Sequence, residues 1–334
     1  MSEHAPTNAP TAHDDVPAPR WTRYIAVGDS FSEGLWDPYP TDPTTDDAPE
    51  AARSTERTTV RSTERSTERT TERTAASTTA STTASDGVTD GPDGDPGAVQ
   101  RGWADRLADT LSARRVAAGL EPLEYANLAI RGRLLRPIVG EQVPIALDAR
   151  PDLVSLVAGG NDILRPGVDV DDISQALEDA VVAIRASGAD VLLGAGFKAG
   201  GALSFTRGRV GVYNANIWSI ARRHGAYVLD LWGMRSLFDL RLWAEDRLHL
   251  TPEGHRRVMN AALEGLLLDP VDPDYDAPLA PAPPAPFVEK AKADAEWARE
   301  YVVPWVKRRI THTSSGDGRT PKWPAPVRWP VSRG

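Results

Sequence analysis

Cysteine is absent from the 334 residues of the chain, which excludes disulfide scaffolds, thiolate metal sites and cysteine nucleophiles. A metal would have to enter through histidine and carboxylates. No run approaches the ~18 consecutive apolar residues that span a bilayer. The first fifteen residues are polar, acidic and proline-bearing, without the basic region and apolar core of a secretory leader. The expectation is a cytoplasmic protein. Positive charge is in deficit, with 38 Lys and Arg against 47 Asp and Glu and a formal net charge of −9. That balance argues against a specific nucleic-acid partner.

Large apolar side chains are nearly missing from residues 41–97, where a degenerate Ser-Thr-Glu-Arg repeat places Arg53, Arg57, Arg61, Arg65, Arg69 and Arg73 four residues apart. Ser and Thr compete with the helix for backbone hydrogen bonds, and no apolar face offsets the ordering entropy. The insert is therefore expected to be disordered, as is the tail 1–20. A proline-rich linker is expected over 270–286, an amphipathic helix over 287–310, and a basic irregular tail over 311–334. What remains is a core of about 192 residues within 21–269, the size of one α/β domain.

Within that core, short apolar runs at 23–27, 125–130, 153–157, 189–193 and 227–231 alternate with helical patterns at 103–118, 134–147, 173–186 and 210–224. A last helix is signalled by Thr251-Pro252-Glu253, an N-cap residue, a proline at the first position and a carboxylate in the first turn. Such alternation indicates a parallel sheet covered on both faces. In these sheets the loops at the carboxyl ends of the strands build the site, and the most polar peptides of the core fall there.

Ser30, in Gly28-Asp29-Ser30, sits at a strand-to-helix turn where a nucleophile is accessible. His249 follows Asp246 by three residues, a spacing that lets the carboxylate hold one ring nitrogen while the other faces a partner from elsewhere. Acyl transfer also needs donors for a developing oxyanion. The candidates are the Ser30 and Gly132 N–H groups and the side-chain amide of Asn161, in Gly160-Asn161-Asp162. Taken singly, each of these also fits an ordinary turn or cap.

Taken together and in this order, Gly28-Asp29-Ser30, Gly132, Gly160-Asn161-Asp162 and Asp246-x-x-His249 resemble the four blocks of the SGNH hydrolases, the GDSL-type esterases and lipases. The resemblance implies a three-layer α/β/α sandwich with a five-stranded, mostly parallel sheet of flavodoxin-like topology, broken after the first strand by the long insert. It implies a serine hydrolase that cleaves small-molecule carboxylic esters through an acyl-enzyme, without cofactor or metal. Ser30 would be the nucleophile, His249 the base, Asp246 its orienter, and Ser30, Gly132 and Asn161 the oxyanion hole. Phe31 departs from the family's usual leucine.

Arg131 and Arg133 flank Gly132 and are candidate contacts for an anionic ester. A zinc reading of Asp246, His249 and His255 lacks further ligands at suitable spacing, and His255 is read as a packing histidine. The segment 301–334 carries seven Lys and Arg against Asp317 alone. It is expected either to fold back on the acidic body or to make weak contact with an anionic surface. The competing functional class is a catalytically inactive hydrolase fold that displays the repeat and the basic tail as a scaffold.

Overall fold

Alternation along the first strand sets the layers. In β1 (Arg23–Gly28), Ile25 and Val27 pack into one apolar cluster while Tyr24 and Ala26 pack into another on the opposite face. The structure is a computed structural model that describes residues 19–39, 99–281, 286–302 and 314–330. The expected disorder of 1–18 and of the insert 41–97 lies outside the described residues, as do parts of the linker and tail.

Four further parallel strands join β1. They are β2 (Glu124–Asn127), β3 (Leu153–Val157), β4 (Asp190–Ala195) and β5 (Tyr227–Asp230). After β1 come the helical turn α1 (Ser30–Glu33) and α2 (Gly102–Ala117), and after β2 the helical stretch α3 (135–148). Then follow α4 (Val170–Ala186), α5 (Arg207–His224) and α6 (Pro252–Gly265). Trp103, Leu107 and Leu111 of α2 and Val258, Ala262 and Leu263 of α6 cover the Tyr24 face. Residues of α3, α4 and α5 cover the Ile25 face. Asp169 caps α4 by accepting the Asp171 and Asp172 N–H groups, and Thr251 caps α6 through Gly254 N–H.

The sheet order is β5-β4-β3-β1-β2-β6, six strands rather than the expected five. The addition is β6 (Trp323–Arg328), antiparallel to β2, in a segment expected to be irregular. Pro324 and Pro326 speak against a strand in the sequence, because proline donates nothing to a ladder. They lie two residues apart, so both missing N–H groups fall on one edge of the strand, which an edge strand tolerates.

Residues 322–329 are anchored to the body. Trp329 is buried against Tyr125 and donates from Nε1 to Asp109 at 2.6 Å. Lys322 Nζ donates to the carbonyls of Glu33, Gln100 and Arg101 at 2.7, 2.8 and 2.8 Å and faces the buried Asp105 carboxylate at 2.9 Å. Arg328 pairs with Glu121. The described part of the basic tail therefore folds back on the body. Among the described residues no helix is long and apolar enough to cross a membrane.

Candidate active site

Strands β1 and β3 are neighbours, and the chain leaves them toward opposite sides of the sheet, so their terminal loops diverge and open a crevice. Gly28 ends β1 with φ of 156°, and a Cβ there would lie 2.5 Å from the Val157 carbonyl oxygen of β3. The amide of Gln142 holds both polar groups of Gly28, accepting its N–H at 2.8 Å and donating to its carbonyl at 3.0 Å. Asp29 then caps α1 by accepting Phe31 N–H at 3.1 Å. Ser30 occupies the first position of that turn, where the N–H has no intrahelical acceptor.

His249 Nε2 lies 2.8 Å from Ser30 Oγ, and its Nδ1 lies 2.5 Å from Asp246 Oδ2. With the Nδ1 proton donated to the carboxylate, Nε2 offers its lone pair to the serine hydroxyl. Asp246 is buried and accepts four hydrogen bonds. Its Oδ1 takes the N–H groups of Leu248 and His249 at 2.9 and 3.0 Å, and its Oδ2 takes His249 and the indole N–H of Trp36, the latter at 3.0 Å. Burial alone would raise the pKa of Asp246, but the charge and hydrogen bonds of His249 and the backbone N–H groups hold it down at about 2. Asp29 sits in the opposite situation. Burial pushes it up to about 6, against the Phe31 N–H and the His249 charge.

Gly132 lines the same crevice with φ of 71°, a conformation that a side chain would strain. Asn161 Nδ2 donates to Asp29 Oδ2 and to the Arg133 carbonyl, both at 3.1 Å, which sets the plane of its amide. Arg131 is brought to the site but not as a free cation. Its backbone N–H, Nε and Nη2 all bind the Glu33 carboxylate, at 2.6, 2.9 and 2.6 Å, and it is 5% exposed. Arg133 faces Glu141 at 3.4 Å. Arg131, expected as a contact for an anionic ester, thus has its charge paired with Glu33, which braces the glycine loop against α1. His255 is buried away from the pair, accepting Trp103 N–H at Nδ1 and facing the Leu35 carbonyl. Among the described residues no cluster of potential metal ligands exists.

Trp36, Gln142, Glu33 and Trp297 are contributors that the sequence reading missed. Trp297 Nε1 donates to the Asp246 carbonyl at 3.0 Å, and Arg247, at φ of 56°, stacks on its ring and binds Asp294 at 2.6 Å. No motif marks these residues, since each acts across 98 positions or more or from outside the core. The crevice itself encloses about 250 Å³. Beyond Ser30 it is bordered by Val157, Ile163, Phe197, Leu203 and Val210, with Gly194, Ala195 and Gly196 leaving room at the end of β4.

Among curated proteins none matches the chain by sequence. Among solved structures, a variant of an acetyl xylan esterase from Geobacillus stearothermophilus is similar, at 17% identity and a TM-score of 0.51, over 75% of this chain and 97% of that one. A catalytic mutant of that organism's acetylxylan esterase matches at 16% identity and a TM-score of 0.50, over 74% and 95% of the two chains. An alpha/beta hydrolase from the metagenome of Lake Arreo, Spain, matches at 18% identity and a TM-score of 0.48, over 73% and 94%. The first two likenesses concern the fold alone. The profile of the GDSL-like Lipase/Acylhydrolase family matches residues 77–257, a span that holds Gly132, Asn161, Asp246 and His249, while Ser30 is joined to it in space. By that match, over more than half its length, the chain belongs to the GDSL-like Lipase/Acylhydrolase family.

Proposed function

We propose that this protein hydrolyses carboxylic esters by serine catalysis, and the observation that carries the reading is the hydrogen-bonded chain from Ser30 Oγ through His249 to Asp246. Ser30 Oγ attacks the ester carbonyl as His249 Nε2 takes its proton. The oxyanion is met by the Ser30 and Gly132 N–H groups and by Asn161, whose amide exchanges one of its present bonds for it. Collapse of the tetrahedral species returns the proton from His249 to the departing alcohol and leaves an acyl ester on Ser30. Water then attacks the acyl-enzyme with His249 again as base, releasing the acid and restoring the serine. Asp246 stays ionised throughout, fixing the tautomer and stabilising the imidazolium. The steps use no cofactor.

The family match and the aligned side chains support this reading over an inactive scaffold, which has no requirement for such alignment. The test is p-nitrophenyl acetate hydrolysis by the parent and by Ser30→Ala. A fall of at least about 10⁴-fold with the fold intact is expected. Retained turnover would refute the assignment.

A further inference from the structure

The segments 286–302 and 314–330 lie beyond the family match, yet they furnish part of the pocket wall. Tyr301, Ser314 and Ser315 all border the crevice. The fit of 314–316 to the glycine loop is close. A Cβ on Gly132 would lie 2.3 Å from Ser314 Oγ and 3.3 Å from Ser315 Oγ, and a Cβ on Gly316 would lie 2.0 Å from the Arg131 carbonyl oxygen. The turn is held from within, since Ser314 N–H donates to Asp317 at 2.8 Å and Ser314 Oγ accepts Gly316 N–H at 3.2 Å. That leaves the Ser314 hydroxyl proton for another acceptor. Lys322, Trp323 and Trp329 fix the position of the segment from the other end.

Sheet order decides which part of a substrate meets these hydroxyls. Ser30 stands at the end of β1, with Gly132 and the two serines on the β2 side. The apolar chamber of Val157, Ile163, Phe197 and Val210 lies on the β3 and β4 side. A hydrocarbon acyl group is stabilised only in the chamber, so the remaining half of the ester is directed toward the hydroxyl wall.

We infer that Ser314 and Ser315 contact the alcohol half of the ester and select hydroxylated leaving groups, such as polyols, over hydrocarbon alcohols. The inference rests on the serine-hydrolase reading above. It makes the end of the chain a specificity element delivered to a site built by the core. An alcohol with free hydroxyls exchanges water for these side chains, whereas an alkyl alcohol leaves them without a partner.

The experiment compares kcat/KM for glyceryl monobutyrate and ethyl butyrate, which share an acyl group, in the parent and in Ser314→Ala/Ser315→Ala. The ratio of the two values does not depend on the fraction of enzyme folded. It should fall at least about fivefold in the double variant, the worth of one lost hydrogen bond. Ser315→Ala alone guards against disruption of the turn, because its hydroxyl makes no hydrogen bond among the described residues, and it should lower the ratio in the same direction. An unchanged ratio in both variants overturns the inference while leaving the hydrolase reading intact. A parent inactive on both esters, with Ser30 unlabelled by a fluorophosphonate, overturns the hydrolase reading itself and the inference with it.

Discussion

Two regions converge on Ser30 and contribute in different ways. The loops at the ends of β1, β2 and β3 and the loop before α6 bring the groups proposed to react or to bind the oxyanion, including the hydrogen bonds to His249. Residues 286–302 and 314–330 come to the same pocket from outside. They hold Asp246 by its carbonyl, Arg247 by its side chain and Gly132 by close packing. The difference teaches that the proposed reaction belongs to the sheet's own loops, whereas residues 286–302 and 314–330 act on how those loops are held.

The largest effect that sharpens the contrast is expected from Asp246→Asn in the first region. The amide keeps the shape but favours the wrong histidine tautomer, and kcat should fall about 10³- to 10⁴-fold in ester hydrolysis. Asn161→Ala removes one oxyanion donor, and a kcat loss of about 10²-fold is expected. Trp297→Ala, in the second region, should cost only about three- to tenfold in kcat with KM held, because it loosens the loop bearing Asp246 without touching substrate. A Trp297→Ala loss as large as that of Asp246→Asn would break the distinction between the regions.

A further effect concerns stability and contrasts two buried carboxylates of the first region. Asp29, raised to about 6, keeps its proton in the folded state where the unfolded chain has released it. Its contribution to stability is therefore present below the ordinary carboxylate range and lost as pH rises toward 6, by roughly 3 kcal/mol at most. Asp246, lowered to about 2, works in the other direction and loses its contribution as pH falls from about 4 toward 2. Urea unfolding of Asp29→Asn between pH 4.5 and 6.5 should show a flatter pH dependence than the parent. The same slope in both would contradict the assignment.

Much of this arrangement was legible in the sequence. The apolar runs and helical periodicities placed the five parallel strands and the helices on both faces, because each pattern is local and repeats within one element. Gly28-Asp29-Ser30 and Asp246-x-x-His249 were legible as candidate site peptides from their residue types, and the structure brings Ser30, His249 and Asp246 together. β6 was not, since Pro324 and Pro326 contradict a strand until the free edge of β2 is known to need a partner. The use of Arg131 was equally hidden, because its partner Glu33 stands 98 positions away and an exposed arginine has the same local sequence as a buried one. Trp36 and Gln142 belong to the same class. Both serve atoms brought near only by the closing of the sheet.

The central claim is that Ser30 is the nucleophile, activated by His249. Incubation of the intact protein with a fluorophosphonate, followed by peptide mass analysis, tests it most directly. One covalent adduct on Ser30 is expected, absent in Ser30→Ala and strongly slowed in His249→Ala. A folded parent that takes no label, or takes it at another residue while Ser30 stays unmodified, would contradict the account.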